Sequence, residues 1–169
     1  MKIYSIIILI LLSHISMAQQ LCRTEEQIPS TAPDSRYISL DDGTIIDVKT
    51  ELMWAQCPQG RSGSNCESGT DQLYTYEEAV FQTATSTLAG HIDWRLPNIK
   101  ELSTLIEERC INPAINSNVF PNTHIDNSSS GSLFWSSTHL NLIRFYNGFS
   151  FDANNIFESF RVRMVRDLY

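Results

Sequence analysis

Asp93-Trp94-Arg95-Leu96-Pro97-Asn98-Ile99-Lys100-Glu101-Leu102 holds a strand end, a forced turn and a helix start in one short run. Pro97 biases Leu96 toward an extended backbone. Asn98 can then cap the helix, and Glu101 follows three residues later, as a capping box requires. Leu102, Leu105 and Ile106 come at helical spacing and give the helix one apolar face. Trp94 and Arg95 stand at the junction, where an indole can pack and a guanidinium can pair. Alone, the stretch describes a capped amphipathic helix of any α+β domain.

Upstream, Tyr37 to Leu40, the turn Asp41-Asp42-Gly43, and Thr44 to Asp47 read as strand, tight turn and strand, with Leu52 to Gln56 as a third strand. Thr75-Tyr76-Glu77-Glu78 is a second capping box, opening a helix expected to reach about Leu88 before Gly90 ends it. The helix after Pro97 is expected from Ile99 to about Glu108. Downstream, residues 110–133 are rich in Asn, Ser and Pro and read as a long ordered loop. Phe134 to Thr138 reads as a short strand, and Leu140 to Tyr169 as β ribbons closing on a strand at Arg161 to Arg166.

The chain opens with Lys2, the apolar run Ile3 to Leu12, and Ser16-Met17-Ala18. A basic start, a short apolar core and small residues at −3 and −1 describe a secretory signal peptide over 1–18. The run is too short for a good membrane span, although an uncleaved anchor is the alternative. Cys22 is a poor lipid acceptor because Leu21 precedes it. Residues 19–36 then form a polar arm and 37–169 the domain proper. The formal charge of −7 becomes one unit more negative when Lys2 is removed. That acidity argues against nucleic acid or an anionic membrane as the main partner.

Cys22, Cys57, Cys66 and Cys110 all lie in the exported part, an even set that reads as two disulfides with three possible connectivities. The Gly- and Ser-rich segment between Cys57 and Cys66 favours that short pair, which leaves Cys22–Cys110 to tie the arm to the second helix. The spacings do not resemble a zinc cluster with paired short arms.

Three landmarks together carry a resemblance. Asp42 to Trp54 resembles an opening hairpin, Asp93 to Leu102 a central motif, and Phe134-Trp135-Ser136-Ser137-Thr138 with Arg161 to Arg166 a C-terminal half. In order and spacing the chain is similar to the Lcl C-terminal-like domain family of secreted bacterial proteins, over roughly residues 34–167. The resemblance implies an α+β, C-type-lectin-like fold: two helices packed on a twisted antiparallel sheet, with long loops. It implies structural roles for Trp54, Trp94, Arg95, Pro97, Asn98, Glu101, Trp135 and Arg163. It also implies adhesin-like surface binding, including binding to sulfated glycans, and a distant similarity to the formylglycine-generating enzymes. Glu51 departs from the pattern, which has Gly there, and so suggests a different turn geometry.

Catalytic machinery is not expected. His91, His124 and His139 have no metal-ligand spacing, and Ser136 and Ser137 lack a nucleophile elbow. No cysteine follows Cys110, whereas formylglycine-generating chemistry needs reactive cysteines near the end of the fold. No cofactor is expected. Calcium, which takes about six to eight oxygens, could draw on Asp126, Asn127, Asp152, Asn154 and Asn155, but loop-forming Asx chemistry explains these residues equally well. A sulfated-polysaccharide site would need a cluster from Arg144, Arg161, Arg163 and Arg166.

The remaining candidate is the surface from Arg144 to Asn155. There Arg144, Tyr146, Asn147, Asp152, Asn154 and Asn155 are the expected ligand-binding set, beside Phe145, Phe149 and Phe151. The competing reading places these phenylalanines on the inward face of a hairpin, and Trp54, Trp94 and Trp135 read as core. The expectation is a non-catalytic binding domain, secreted, periplasmic or on the cell surface, whose partner is a glycan or a protein. A structural subunit of a surface assembly is the alternative, followed by an enzyme related to the formylglycine-generating family.

Overall fold

Leu52-Met53-Trp54-Ala55 is apolar throughout, and a strand of this kind needs cover on both faces. The computed structural model, which describes residues 20–123 and 132–169, provides it. β1 (Tyr37–Ser39), β2 (Thr44–Asp47) and β3 (Leu52–Ala55) form an antiparallel meander. After α1 (Tyr76–Ala84) and α2 (Ile99–Ser103) comes a second antiparallel sheet of β4 (Leu133–Trp135), β5 (Asn141–Arg144) and β6 (Phe149–Asp152). β7 (Val165–Asp167) returns to the first sheet beside β3, with Val165 opposite Trp54. The sheet orders are β7-β3-β2-β1 and β6-β5-β4.

Side-chain alternation sorts the strands between two apolar cores. Leu52 and Trp54 of β3, Phe134 of β4, Ile143 of β5 and Val165 of β7 enter one, with Leu102, Leu105 and Phe120. Met53, Ala55, Leu133, Trp135 and Leu142 enter the other, with Ala79, Trp94 and Leu96. Antiparallel pairing, two helices and two disulfides agree with the α+β expectation. The single sheet does not: among the described residues two larger sheets, of four and three strands, are joined through the segment before β7, beside two short two-stranded ladders. Trp135 N–H donates to the Arg161 carbonyl at 2.9 Å, and Ala55 N–H to the Met164 carbonyl at 3.0 Å. Of the expected strand at Arg161 to Arg166, only its end is regular strand, because its first residues cross from one sheet to the other.

The Asp93–Leu102 stretch forms the junction. Asn98 and Glu101 close a reciprocal capping box. Arg95 grips Glu101 with two hydrogen bonds of 2.8 and 3.0 Å and reaches Asp167 at 2.7 Å. These bonds, led by those to Glu101, raise the Arg95 pKa further above its ordinary value. Trp94 is buried and donates to the Leu88 carbonyl at 3.0 Å. The Pro97 carbonyl accepts from Ser137 N–H at 2.7 Å.

Both helices stop earlier than their patterns suggest. α1 ends at Ala84, where Thr85 turns its hydroxyl back to the Phe81 carbonyl at 2.9 Å. The Thr- and Ser-rich continuation favours such local bonds over further helix. α2 ends at Ser103 instead of Glu108, because distant residues take the carbonyls of its continuation. Arg36 donates to the Thr104 carbonyl at 2.8 Å and Thr31 Oγ1 to the Ile106 carbonyl at 2.8 Å. Glu107, buried, turns away to accept from the N–H groups of Thr31 and Ala32 at 3.2 and 3.1 Å, and from the Ser30 hydroxyl. The arm is thus held by a buried carboxylate as well as by Cys22–Cys110.

A second buried carboxylate, Asp47, pairs with Arg36 and accepts from Lys49 N–H at 3.0 Å and Thr50 Oγ1 at 2.7 Å, closing the turn into β3. Glu51 in that turn has φ 56°, the left-handed conformation a glycine would take. The departure from the family's Gly therefore retains a glycine-type geometry and accepts strain, contrary to the expectation of a different turn.

Arg163 is fully buried between Phe120 and Phe134, its Cζ 4.9 and 5.9 Å from their ring centroids. It donates to the carbonyls of Ala55 and Gln56 and to Thr123 Oγ1 at 2.9 Å. Burial lowers its pKa.

Three outcomes follow from the strained Glu51 turn and these buried groups. Glu51→Gly should raise unfolding free energy by up to about 1 kcal/mol, whereas Glu51→Val should lower it, as read by urea denaturation. Arg163→Met strands two carbonyls and a hydroxyl and should cost about 2–4 kcal/mol in the same assay. Burial would raise the pKa values of Asp47 and Glu107, but hydrogen bonds, led by Arg36 for Asp47 and Ser30 for Glu107, hold both below ordinary carboxylate values. Their stabilisation is therefore complete above the unfolded values of about 4 and is lost as pH falls through the lower folded values. Stability should drop steeply below about pH 4, and Asp47→Asn with Glu107→Gln should flatten that slope.

Candidate functional site

Segments far apart in sequence meet around a groove of about 1010 Å³. The β1–β2 turn contributes Ser39, Asp41 and Asp42, the loop after β3 contributes Gln56 to Ser64, and Asp34, Asn118 and Val119 close the far side. Buried Tyr37, Ile45, Ala55 and Met164 form an apolar floor. The Tyr37 phenol, whose pKa burial raises, stays neutral there.

The groove's wall is stiff. Cys57–Cys66 spans 5.4 Å between Cα atoms and closes the loop. Inside it, Gln56 Nε2 donates to the Ser64 carbonyl and Arg61 Nη1 to the Cys66 carbonyl, both at 3.2 Å. Arg61 and Arg161 both pair with Asp71. Arg61–Ser62 forms a two-residue ladder with Ser68–Gly69. Side chains cannot enter this crossing: a Cβ on Gly60 would lie 2.3 Å from the Thr70 carbonyl oxygen, and one on Gly69 2.2 Å from that of Gly60. A disulfide, a short ladder and an ion pair thus fix the backbone on which exposed Ser62 and Ser64 stand.

The groove's charge is lopsided. Asp34, Asp41 and Asp42 line it, and its one cation, Arg61, is already paired with Asp71. Asp34 accepts from Asn116 and Asn118, at 2.7 and 3.1 Å, and Asp42 from Thr44 N–H at 3.0 Å. Carboxylates and amides over an apolar floor suit a neutral polyhydroxyl ligand and disfavour a polyanion.

The set expected on the C-terminal hairpin does not converge. Arg144 stacks on Tyr146 and Phe151, 5.4 and 5.7 Å from the ring centroids. Asp152 lies on the opposite hairpin face from Phe151 by strand alternation and accepts from Asn141 at 2.6 Å. Asn147 accepts from Phe149 N–H at 3.4 Å, and Asn155 from Phe157 N–H at 2.9 Å. Asn154 donates to Glu158 through its backbone and side chain, at 2.7 and 3.2 Å. These amides shape turns. The inward-face reading of the phenylalanines also divides: Phe145 is buried in the connecting turn, whereas Phe149 is 64% exposed.

The C-terminal arginines do not form a basic patch. Arg161 and Arg163 are buried, and Arg166 pairs with Asp93 at 2.8 Å. Trp54, Trp94 and Trp135 are all buried. Among the described residues no group of three or more His, Cys, Asp or Glu side chains is placed to hold a metal ion. His124, Asp126, Asn127 and residues 1–18 lie outside the described residues. Reading the sequence missed the groove because its walls are distant in sequence. The available signal was the Gly- and Ser-rich loop between Cys57 and Cys66, flanked by Gln56 and containing Gln59.

Comparison with known proteins adds one finding: the model of the Lcl C-terminal domain matches residues 43–166. Neither curated proteins nor solved structures give a match.

Charge should decide what enters the groove. Asp41→Lys and Ser62→Lys together should convert it from anion-repelling to anion-tolerant. The check is whether heparin-column retention rises in the double variant, where the unmodified protein passes through.

Proposed function

The chain belongs to the Lcl C-terminal domain family, and from that premise we propose that it is a non-catalytic recognition domain outside the cytoplasm that binds a neutral glycan in the groove beside Cys57–Cys66. The observation that carries this reading is the groove itself, with rigid polar walls, an apolar floor and an excess of carboxylates. Recognition there needs no bond-making: a stiff scaffold presents oxygen and amide groups to hydroxyls, and the floor takes the apolar face of a sugar ring.

Its setting is supported by two disulfides, which persist in oxidising compartments. No helix among the described residues is long and apolar enough to cross a membrane. The leader-like segment 1–18 supports export. Adhesin-like behaviour follows if the glycan belongs to a host or envelope surface. Burial and pairing of the C-terminal arginines weigh against a sulfated ligand at that end.

A glycan array probed with the oxidised chain 19–169 tests this directly. Neutral glycans should bind in chelator as well as in calcium. Ser62→Trp, which fills the groove from an exposed position, should weaken binding at least about tenfold, and Tyr146→Ala should leave it intact. Binding that requires calcium, that ignores Ser62→Trp, or that is confined to sulfated glycans would overturn the reading.

A further inference from the structure

β6 is an edge strand with all four residues exposed. Among the described residues no strand pairs with its outer edge. Phe145 N–H donates to the Ser132 carbonyl, and the Asn141 carbonyl accepts from Ser136 N–H. Residues 141, 143 and 145 therefore face β4, and residues 142 and 144 face β6. Phe149 and Phe151, opposite Arg144 and Leu142, turn their backbone groups inward. The N–H and C=O groups of Ser150 and Asp152 consequently point away from the sheet. Exposed edges are ordinarily guarded by charged side chains, Pro, a bulge or short length. Phe149-Ser150-Phe151-Asp152 has no Lys, Pro or bulge, and its guards are its short length and the terminal Asp152.

We propose that this edge pairs antiparallel with the same edge of a second copy, extending two three-stranded sheets into one of six strands. The sequence is self-complementary about Ser150. With Ser150 opposite Ser150 of the other copy, each Phe149 faces a Phe151 and each Asp152 faces a Gly148. No like charges meet, and two aromatic cross-strand pairs form. The operation is a two-fold axis, so the interface closes and does not propagate. None of the residues lining the groove belongs to this hairpin, so a dimer presents two open grooves and gains avidity on a repeated ligand.

The interface is small and the copies carry like net charge, so association should be weak and should strengthen as salt screens repulsion. Sedimentation velocity of the chain 19–169 from about 1 µM to about 1 mM, at low and high salt, covers the range expected of a small interface. Unmodified protein should shift from monomer to dimer, more readily at high salt. Phe149→Lys, at an exposed position, and Ser150→Pro, which removes an outward N–H, should each raise the dissociation constant at least about tenfold. Circular dichroism should be unchanged for Phe149→Lys. A monomer throughout the range, or a Phe149→Lys protein that dimerises as readily as the unmodified chain, overturns the proposal.

Discussion

The fold depends on one buried guanidinium. Among the described residues no carboxylate hydrogen-bonds to Arg163; its charge is solvated by the Ala55 and Gln56 carbonyls, the Thr123 hydroxyl and two aromatic faces. Burying such a charge is costly unless its donors are met; both terminal nitrogens are, while the buried Nε has no hydrogen-bond partner among the described residues. The environment is therefore specific: it positions the end of β3, the loop at Thr123 and the crossing segment before β7 together. Val162 and Met164 lie in one core while Arg163 abuts rings of the other. The same carbonyls begin the loop that walls the groove, so the charge that joins the sheets also positions the candidate binding surface.

Polar burial elsewhere follows the same pattern. Asp47 closes the turn before β3 and holds Arg36, and Arg36 caps the carbonyl beyond α2. Glu107 gathers the backbone of Thr31 and Ala32 and the Ser30 hydroxyl. The Arg36–Thr104 and Glu107 contacts span segments far apart in sequence and attach the arm to the domain with directional bonds. Cys22–Cys110 adds a covalent tie where Leu21–Cys22 pairs with Cys110–Ile111.

What was legible in the sequence was local. The capping boxes at Thr75 and Asn98 were readable because donor and acceptor lie three residues apart. The β1–β2 hairpin was readable because Asp-Asp-Gly is a turn with a mechanism. Helix ends were not readable: Arg36 and Thr31, some seventy residues upstream, decide where α2 stops. Arg161, Arg163 and Arg166 offered a basic cluster on paper, but crossing between sheets buries or pairs each of them. The groove was invisible for the same reason, since Asp41, Ser62 and Asn118 meet only through tertiary structure. The hairpin at Arg144 to Asn155 looked like a binding set because Asn and aromatic residues serve turns and edges as readily as ligands.

The groove is the proposed site of ligand recognition. Hydrogen–deuterium exchange on the oxidised chain, with and without the tightest-binding glycan from an array, tests it most directly. Protection should appear in peptides covering 39–43, 56–64 and 116–119, with the hairpin at 141–152 unchanged. Protection confined to 141–158, with the disulfide loop unaffected, would contradict the account.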